Sequence, residues 1–550
     1  MKRMKVNNNY QRIIILCLLA FVILMLGNNF LTLTNPDEVF YAGTAKEMIQ
    51  QHTWSVPYLF GEPQFEKPIF TYWLLRIGFL MFGVSSFGAR FFPALFAILG
   101  VLVVYILCSR VYADKAKSFL CAFVLMTSGL YVGLARTVFT DMIFSVFILL
   151  SLASFYFGYH DRKWKSLGIV FFFVFSAFAV LTKGPLGFII PVLIVWIFLT
   201  VRRELTFLFC RASFLGAGLF LLIAVPWYWF IISRFGNDFI KEFFYNDHIR
   251  RLLVAEHKSN DKWYFYPFSM ALCMFPWSIF TAASFIYLLK KFKNKTAQPM
   301  HLFLLCWVTA VFAVFQIAHS KLISYVMPLF PALAMITGDF IHEIASAAKR
   351  QLLAISLATL AIFILLALGL GVASFKYSMY VSQPALLYGF IAFFIAVIIA
   401  QMAIIRKNPV FSPYASALNI FLLVFFIFFY RANFEEYVSS AHSSEYLQKN
   451  YATDGIILCS KSFARGVRFY TGKEIAIFRN GKGNFFSPHP VPFLGTNEEV
   501  RGFLANQPIT YCVLDKSSLV NIEGVAGDRF KCSLLKNFGD EYIVLIKPNI

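Results

Sequence analysis

Two aspartates stand where apolar segments of the chain begin, and carboxylates in such places can do acid–base chemistry. Asp37 lies in "PDEVFYA" beside Glu38, and Asp141 lies in "RTVFTDMIF". A helix start would explain either acid, with Asn35 as the cap of the first, because carboxylates stabilise helix N-termini. A catalytic pair would act as a general base or stabilise a sugar cation. The residues alone leave both interpretations open.

Cations gather in two other stretches. "FEKPIFTYW" contains Glu66 and Lys67, and "FFYNDHIRRLL" contains His248, Arg250 and Arg251. Lysine as a point charge and arginine as a planar fork are what a phosphate group requires. Glu66 and Lys67 would also make an ordinary surface pair. Glu66 and His248 could also share a divalent metal ion, although two ligands are a weak signal.

Single basic residues stand at further predicted helix boundaries. They are Arg136 in "ARTVFTD", Lys183 in "LTKGPLG" and Lys321 in "HSKLISY", where Tyr325 follows. Snorkelling explains a lone lysine at a membrane boundary. Together with the stretches above, they predict a charged ring assembled from separate loops.

Composition shows which elements must position these side chains. Of 550 residues, 59% are hydrophobic and only 14% are charged, whereas a soluble domain is about a quarter charged. The chain is therefore an integral membrane protein. Thirteen apolar stretches of spanning length are predicted, at 13–33, 87–108, 116–134, 139–158, 167–183, 185–201, 212–233, 268–289, 302–318, 322–341, 351–373, 384–405 and 410–430.

The distribution of basic residues predicts the orientation. Alternate short loops are rich in Lys and Arg, beginning with Lys2, Arg3, Lys5 and Arg12, and such loops face the cytoplasm. The net charge of +21 thus reports topology, and binding to nucleic acid is not expected. Two long loops, 34–86 and 234–267, fall on the outer face. We expect every unusual polar cluster of the chain to lie there as well.

The sequence changes character after residue 430. Short β-rich runs ("GIILCS", "EIAIF", "ITYCVLD", "EYIVLI") alternate with helix-like segments. This pattern predicts a transmembrane domain at 1–430 and an outer α/β domain at 431–550, with a mostly parallel sheet. It contains no GxGxxG, and no nucleotide cofactor is expected. Whether Cys459, Cys512 or Cys532 form a disulfide stays open.

The ordered motifs "PDEVFYA", "FEKPIFTYW", "FGAR", "LTKGPL", "VPWYW", "NDHIRRL", "FPW" and "SKLISYVMP" resemble those of the polytopic lipid-phosphate-dependent (GT-C) glycosyltransferases. The bacterial lipid A 4-amino-4-deoxy-L-arabinose transferases, distant relatives of protein O-mannosyltransferases, are the most similar group. The resemblance implies an α-helical polytopic fold of about 13 transmembrane helices with a small α/β periplasmic domain.

The resemblance also implies roles for individual residues. Asp37, Glu38 and Asp141 would be catalytic, and Glu66 and His248 would hold a zinc ion. The lipid phosphate and substrate would be bound by basic and tyrosine side chains, namely Lys67, Arg251, Arg250, Tyr72, Arg136, Lys183, Lys321 and Tyr325. Two positions depart from the family pattern "DExRYA" and "KLPxY". Phe40 replaces the arginine, which removes a cation, and Ile323 replaces the proline.

The implied activity is transfer of 4-amino-4-deoxy-L-arabinose, or another amino sugar, from undecaprenyl phosphate to lipid A or other lipopolysaccharide. It would invert the anomeric centre, on the periplasmic side of the inner membrane, in a monomer that modifies lipid A and confers polymyxin resistance. One alternative is transfer of another polyprenyl-linked hexose or hexosamine to core oligosaccharide or protein. A transporter of such lipids is the other. Nearly charge-free spans argue against a transporter, which places ionisable groups near the bilayer midplane.

Overall fold

A computed structural model describes residues 7–256, 258–376, 384–429, 431–453, 455–478 and 491–549. The chain divides into two compact units. The first comprises Met1–Leu26, Phe65–Thr71 and Arg90–Phe426, and the second comprises Gly27–Gln64, Tyr72–Ala89 and Ile427–Ile550. The predicted domain boundary at 430 lies close to one of these divisions, but the second unit also takes segments of the first long loop. Lys2, Arg3 and Lys5 lie outside the described residues.

Helices dominate the chain as far as residue 429. In order they are α1 (Asn7–Leu24), α2 (Asp37–Gln50), α3 (Phe70–Phe82), α4 (Ser86–Val111), α5 (Lys115–Met126), α6 (Gly129–Ala135), α7 (Thr140–His160), α8 (Lys165–Lys183), α9 (Leu186–Arg202), α10 (Arg211–Phe235), α11 (Asn237–Phe239), a π-helix (Ile240–Arg250), α12 (Arg251–Leu253), α13 (Phe265–Cys273), α14 (Ser278–Lys293), α15 (Pro299–Ile317), a 3-10 helix (Ile323–Leu329), α16 (Phe330–Ala347), α17 (Lys349–Lys376), α18 (Pro384–Lys407) and α19 (Ser412–Phe429).

Each predicted span overlaps a helix or a bent pair of helices, although the first, 13–33, is helical only as far as Leu24. Within the described ranges, seven helical segments are long and apolar enough to cross a membrane, or nine if each bent pair is one span. The bends are 64° between α5 and α6 and 114° between α13 and α14. The chain is therefore an α-helical polytopic membrane protein, as predicted. The stretch 268–289, predicted as one span, is sharply broken between Cys273 and Ser278.

Helices α7 and α8 form a close antiparallel pair at the centre of the first unit. A Cβ on Gly168 would lie 2.5 Å from the Ser154 carbonyl oxygen, so only glycine permits this approach. Ser151 Oγ lies 2.9 Å from Ser176 Oγ across the same interface. Small residues and hydroxyl pairs are the usual means by which membrane helices pack closely. The pair fixes the start of α7 beside the end of α8.

An aromatic cluster holds the segment Phe65–Thr71 within this unit. The Phe70 ring lies 5.2 Å from that of Phe147 on α7 and 5.3 Å from that of Phe178 on α8. Phe65 packs 5.5 Å from Phe239, just before the π-helix. Aromatic contacts of this kind contribute beyond the buried area. They place Lys67, between the two phenylalanines, against α7, α8 and the second long loop.

The second unit combines the start of the first long loop with the C-terminal segment. Helix α2 is followed by an antiparallel hairpin, β1 (Tyr58–Leu59) and β2 (Glu62–Pro63). The C-terminal elements are α20 (Arg431–Val438), α21 (Ala441–Asn450), β3 (Ile457–Ser460), α22 (Ala464–Thr471), β4 (Ile475–Phe478), β5 (Phe493–Leu494), α23 (Asn497–Ala505), β6 (Thr510–Leu514), α24 (Lys516–Ala526), β7 (Phe530–Phe538) and β8 (Glu541–Pro548).

Strands β3 to β8 form one sheet in the order β5-β4-β3-β6-β8-β7. Strands β5, β4, β3 and β6 are parallel to one another. Strand β8 pairs antiparallel with β6, and β7 pairs antiparallel with β8 at the edge of the sheet. The prediction of a small, mostly parallel α/β domain is confirmed, although β5 and β7 were not expected. All three cysteines of this domain, Cys459, Cys512 and Cys532, are free thiols.

A buried carboxyl group connects distant segments of this unit. Glu541, at the start of β8, accepts hydrogen bonds from Ser440 and Ser443, and Asn35 Nδ2 donates to Ser440 Oγ at 2.6 Å. Burial raises the pKa of Glu541 to about 7, although the serine hydrogen bonds oppose that shift. Asn35 is therefore a tether to the C-terminal segment. The N-cap of α2 is Pro36 instead.

A polar cluster around Asp339 lies in the first unit. It is at the other ends of the helices from Asp141 and Lys183. Asp339 on α16 contacts Lys117 Nζ at 2.5 Å and His301 Nε2 at 3.0 Å, and Lys291 contacts Glu343 at 2.8 Å. The expectation that all unusual polar clusters share one face is wrong. Lys117 and Lys291, at the ends of α5 and α14, register in the sequence only as topology signals.

Candidate functional site

Asp141 and Lys183 form a buried ion pair in the first unit. Asp141 lies in the first turn of α7, and Lys183 ends α8. Because the two helices are antiparallel neighbours, these positions meet at one end of the pair. Lys183 Nζ lies 2.5 Å from Asp141 Oδ1, with the side chains 11% and 6% exposed. Each charge compensates the other where solvent contributes little.

A second cluster joins the two long loops through Asp247. One oxygen of this carboxylate lies 2.7 Å from Lys67 Nζ, and the other lies 2.7 Å from Arg251 Nη1. Asp247 and Arg251 are four residues apart where the π-helix passes into α12. Glu256 adds a longer contact of 3.5 Å to Arg251 Nε. One carboxylate therefore holds in place the two cations predicted to bind phosphate.

Tyr325 brings the two clusters together. It lies in the 3-10 helix before α16, with its ring centroid 4.5 Å from Lys183 Nζ. Its hydroxyl lies 3.5 Å from Arg251 Nη1. The structure therefore brings together Lys67, Asp141, Lys183, Arg251 and Tyr325 from five separate parts of the chain.

The electrostatic environment keeps Asp247 ionised. Burial favours the neutral acid, but Lys67 and Arg251 outweigh it and hold the pKa of Asp247 below its ordinary value. An opposite charge within hydrogen-bond distance has this effect. Asp247 therefore stays charged across the physiological pH range and holds the side chains of Lys67 and Arg251 in orientation.

Both cations retain donors for a ligand. Lysine has three N–H donors, and two of those on Lys67 are directed to Asp247 Oδ2 and to the Glu66 carbonyl oxygen, at 2.7 and 3.0 Å. Arg251 makes its contacts through Nη1 and Nε. Within the described residues, one Lys67 donor and the Nη2 group of Arg251 have no protein partner. An anionic oxygen would complete both.

His248 is wedged between its own loop and the end of α8. Its Nδ1 lies 2.7 Å from the Phe243 carbonyl oxygen. At Gly184, where φ is +88°, an added Cβ would lie only 2.6 Å from His248 Nε2. Burial lowers the pKa of His248, against the opposing charge of Asp247. A neutral imidazole fixed in this way connects the π-helix to α8.

This arrangement does not suit the predicted zinc site. No group of three or more His, Cys, Asp or Glu side chains in the described part of the chain could hold a metal. Glu66 and His248 supply at most two ligands, and Nε2 of His248 faces the Gly184 backbone. Zinc sites use at least three protein ligands. Zinc binding by this chain stays a prediction.

Two predicted cations have other partners. Lys321 Nζ lies 2.9 Å from Asp261, which also contacts His319. Arg136 donates to the carbonyl oxygens of Ile23 and Leu26 at 2.7 and 2.8 Å, so it caps the C-terminal end of α1. These contacts give both residues a structural role in addition to the predicted role in binding the lipid phosphate or substrate. Arg250 lies half-buried at the end of the π-helix.

The acids of the first long loop belong to the second unit. Asp37 begins α2, and the buried Glu38 accepts hydrogen bonds from the Thr34 backbone N–H and hydroxyl at 3.0 and 2.9 Å. Glu38 thus stabilises the start of the helix, which agrees with the capping interpretation. Tyr72 is fully buried, and its hydroxyl accepts from Gln64 Nε2 at 2.5 Å. The catalytic roles of these residues stay predictions.

Asp247 is the residue that sequence reasoning missed as a site residue. Its spacing from Arg251 was a usable signal, because side chains four residues apart share a helix face. Its contact with Lys67 crosses 180 residues, and no local pattern predicts that contact.

Known proteins resemble the chain over most of its length. The family model "Dolichyl-phosphate-mannose-protein mannosyltransferase" matches residues 11–237. An "Undecaprenyl phosphate-alpha-4-amino-4-deoxy-L-arabinose arabinosyl transferase 2" of Pseudomonas fluorescens is 30% identical over 64% of this chain and 59% of its own. The corresponding transferase of Wigglesworthia glossinidia brevipalpis is 30% identical over 66% of each chain. The alignments therefore span about three-fifths to two-thirds of these relatives' length.

The fold is also that of a solved structure. ArnT from Cupriavidus metallidurans, crystallised with undecaprenyl phosphate, matches with a TM-score of 0.78 over 97% of both chains, at 20% identity. The same protein in its apo state matches with a TM-score of 0.77. The family match, the named relatives and the shared fold agree with one another. The chain belongs to the polytopic lipid-phosphate-dependent (GT-C) glycosyltransferases.

Proposed function

We propose that the protein transfers 4-amino-4-deoxy-L-arabinose, or another amino sugar, from undecaprenyl phosphate to lipid A. The relatives named above support the donor and the sugar. The transfer takes place at the periplasmic face of the inner membrane in a monomer whose N-terminus is cytoplasmic, and it modifies lipid A in a way that confers polymyxin resistance. The basic loops, such as Arg162–Lys165 and Lys290–Lys295, support this orientation.

The observation that carries the proposal is the triad of Lys67, Asp247 and Arg251. Two cations held 2.7 Å from one carboxylate are oriented before a ligand arrives, which avoids the cost of ordering long side chains during the reaction. One N–H donor of Lys67 and the Nη2 group of Arg251 then bind the oxygens of a lipid phosphate.

The reaction is a single displacement at the sugar. The bond between C1 and the phosphate oxygen breaks, and the electron pair leaves with undecaprenyl phosphate while an acceptor oxygen bonds to C1. Negative charge grows on the departing phosphate, where Lys67 and Arg251 stabilise it in a site largely shielded from water. Lys183 adds positive charge nearby, because its Nζ lies 4.5 Å from the ring centroid of Tyr325 and the hydroxyl of Tyr325 lies 3.5 Å from Arg251 Nη1. Attack opposite the leaving group inverts the anomeric centre.

A carboxylate assists the other side of the displacement. Asp141, held by Lys183 at 2.5 Å, stabilises the positive charge that develops on the sugar or binds its amine. An acceptor phosphate is already anionic and requires no base. An acceptor hydroxyl gives its proton to Asp141 or Asp37. Replacement of Asp37 by Asn is expected to abolish transfer without preventing insertion into the membrane.

Mass spectrometry of lipid A from cells with and without the gene tests the proposal. A missing group with the mass of an amino pentose would identify sugar and acceptor together. A missing group of different mass would leave the proposed reaction type in place and change the identity of the sugar. The sugar is worth testing because Phe40 replaces the arginine of the family pattern. Unchanged lipid A, with a change in core oligosaccharide or protein instead, would contradict the proposed acceptor.

A further inference from the structure

A carboxylate of the second long loop, Asp261, contacts the short segment 319–321 between α15 and the 3-10 helix. Its two oxygens lie 2.9 Å from Lys321 Nζ and 2.9 Å from His319 Nδ1. Asn260, beside it, donates from Nδ2 to the Lys321 carbonyl oxygen at 3.1 Å. Two neighbouring loop residues therefore hold the 319–321 segment by its side chains and by its backbone.

The contact between Asp261 and Lys321 is electrostatic. Hydrogen bonds from His319 and Lys321 hold the pKa of Asp261 below its ordinary value. The side chain of Lys321 is only 5% exposed, whereas that of Asp261 is 30% exposed. Removing one partner of a buried charge leaves that charge uncompensated, which is costly. Neutralising Asp261 would therefore draw the ammonium group of Lys321 towards solvent and displace the 319–321 segment with it.

The other side of the 319–321 segment closes the end of the helix that carries Arg251. The Ser320 N–H donates to the Arg251 carbonyl oxygen at 3.0 Å, and the His319 N–H donates to the Leu252 carbonyl oxygen at 3.1 Å. Carbonyl groups in the last turn of a helix have no partner within the helix and require one outside it. The segment supplies two such partners and thereby fixes the backbone at Arg251.

Tyr325 adds a side-chain contact between the same two elements. Its N–H donates to the Leu322 carbonyl oxygen at 3.1 Å, directly after the 319–321 segment. Its hydroxyl lies 3.5 Å from Arg251 Nη1. This part of the chain therefore contacts Arg251 at its carbonyl group and at its guanidinium group. Asp247 holds the guanidinium group, and the 319–321 segment holds the backbone from which it extends.

We propose that Asp261 is a positioning residue for the lipid phosphate, and that it acts through the 319–321 segment on the guanidinium group of Arg251. The inference rests on the proposed function, because it takes the ligand of Arg251 to be a lipid phosphate. A planar guanidinium group binds two phosphate oxygens only in the correct orientation, whereas an ammonium group acts as a point charge. Asp261 itself does not contact the phosphate.

Binding of undecaprenyl phosphate to the full-length protein in phosphatidylcholine nanodiscs tests the proposal without any sugar. Asp261→Asn is expected to weaken binding about tenfold, since a displacement of about 1 Å at a functional group costs up to about 100-fold in rate. Asp261→Glu, which keeps the carboxylate, should restore part of the affinity. Asp238→Asn should bind as the wild type does, because Asp238 is an exposed aspartate of the same loop.

A second background separates positioning from a general loss of structure. In Arg251→Lys, a flexible point charge that requires no fixed orientation replaces the guanidinium group, and Lys67 keeps binding measurable. Asp261→Asn should therefore weaken binding by about twofold or less in that background. Equal losses in the two backgrounds would overturn the positioning role, because a general loss of structure affects both alike. Unchanged binding by Asp261→Asn alone would overturn it as well.

The same titrations separate this inference from the proposed function. A wild-type protein that does not bind undecaprenyl phosphate would contradict both. Wild-type binding with no loss in Asp261→Asn would leave the proposed donor in place and overturn the positioning role. Wild-type binding with a loss that depends on Arg251 would support the positioning role, even where mass spectrometry of lipid A identifies another sugar or acceptor.

Discussion

The ammonium group of Lys67 lies 2.7 Å from a carboxylate oxygen of Asp247, across 180 residues of chain. The contact joins the first long loop to the second, and Arg251 shares the same carboxylate. Three residues that are unremarkable in isolation thereby become one preorganised anion receptor. Its most direct test is the removal of the charge at its centre.

Asp247→Asn should lower sugar transfer about 100-fold, because loss of a preorganised electrostatic contact at a reacting phosphate costs about 10²–10³ in rate. Transfer from the lipid-linked donor by the purified protein measures the effect. Asp238→Asn is the matched control, since Asp238 is exposed at the start of the same loop. Full activity of Asp247→Asn would remove the triad from the mechanism.

Gly184→Ala should impair both folding and transfer. Its φ of +88° is strained for alanine, and the new Cβ would press on His248 Nε2 and on the Phe243 ring at 2.6 and 2.9 Å. We expect a lower unfolding temperature together with reduced activity. Gly133→Ala, with nothing within 4 Å of its added Cβ, should behave as wild type. Equal behaviour of the two variants would contradict the packing of His248 against α8.

Asp339→Asn should destabilise the first unit by about 3–5 kcal/mol, since it leaves the largely buried ammonium group of Lys117 without its carboxylate partner. The side chain of Asp339 is 2% exposed and contacts Lys117 and His301. Thermal unfolding in detergent measures the loss. Glu204→Gln breaks the exposed pairs with Arg162 and Arg202 and should cost about 1 kcal/mol or less. Similar losses in both variants would argue against a buried network.

Glu541→Gln should remove a pH dependence of stability. The carboxyl has a folded pKa of about 7 against an ordinary value of 4.5, so the folded state binds the extra proton. Stability is then fully present below pH 4.5 and declines by up to about 1.4 kcal/mol per pH unit until about pH 7. Wild-type and variant unfolding temperatures should agree near pH 5 and separate towards pH 8, where the wild type is the less stable because its buried carboxyl group is charged and the glutamine is not. Parallel curves would refute a raised pKa, and Glu445→Gln serves as the exposed control.

Chelation of divalent metals should leave transfer unchanged. The two predicted zinc ligands, Glu66 and His248, lack a third among the residues that the structure describes. Activity assayed after dialysis against EDTA, with and without added zinc, checks this expectation. A loss that zinc restores would show that the site is completed by groups beyond these two side chains.

Much of this architecture could be predicted from the sequence. Apolar stretches of spanning length predict the helices, because a segment within the bilayer must satisfy its backbone hydrogen bonds internally and a helix does so. The pairing of Asp141 with Lys183 follows from the ends of two adjacent antiparallel helices. Local patterns of this kind require no knowledge of distant contacts.

Contacts between distant segments could not be predicted in the same way. Asp247 contacts Lys67 only because the aromatic packing of Phe65 and Phe70 sets the position of their loop. The pairing of Asp339 with Lys117 depends on how α5 and α16 pack. Arg465 reaches Phe40 from the far end of the chain. Such pairs depend on tertiary packing, and the spacing of charges along the sequence carries no record of it.

The tether from Asn35 to Ser440 spans 405 residues, and this separation has a consequence for biosynthesis. At roughly 5–20 residues per second, the ribosome requires roughly 20–80 s to deliver the serine after the asparagine has emerged. During that interval the segment around Asn35 has no final binding partner. Productive maturation therefore depends on protecting a half-finished surface until the last strand has been synthesised.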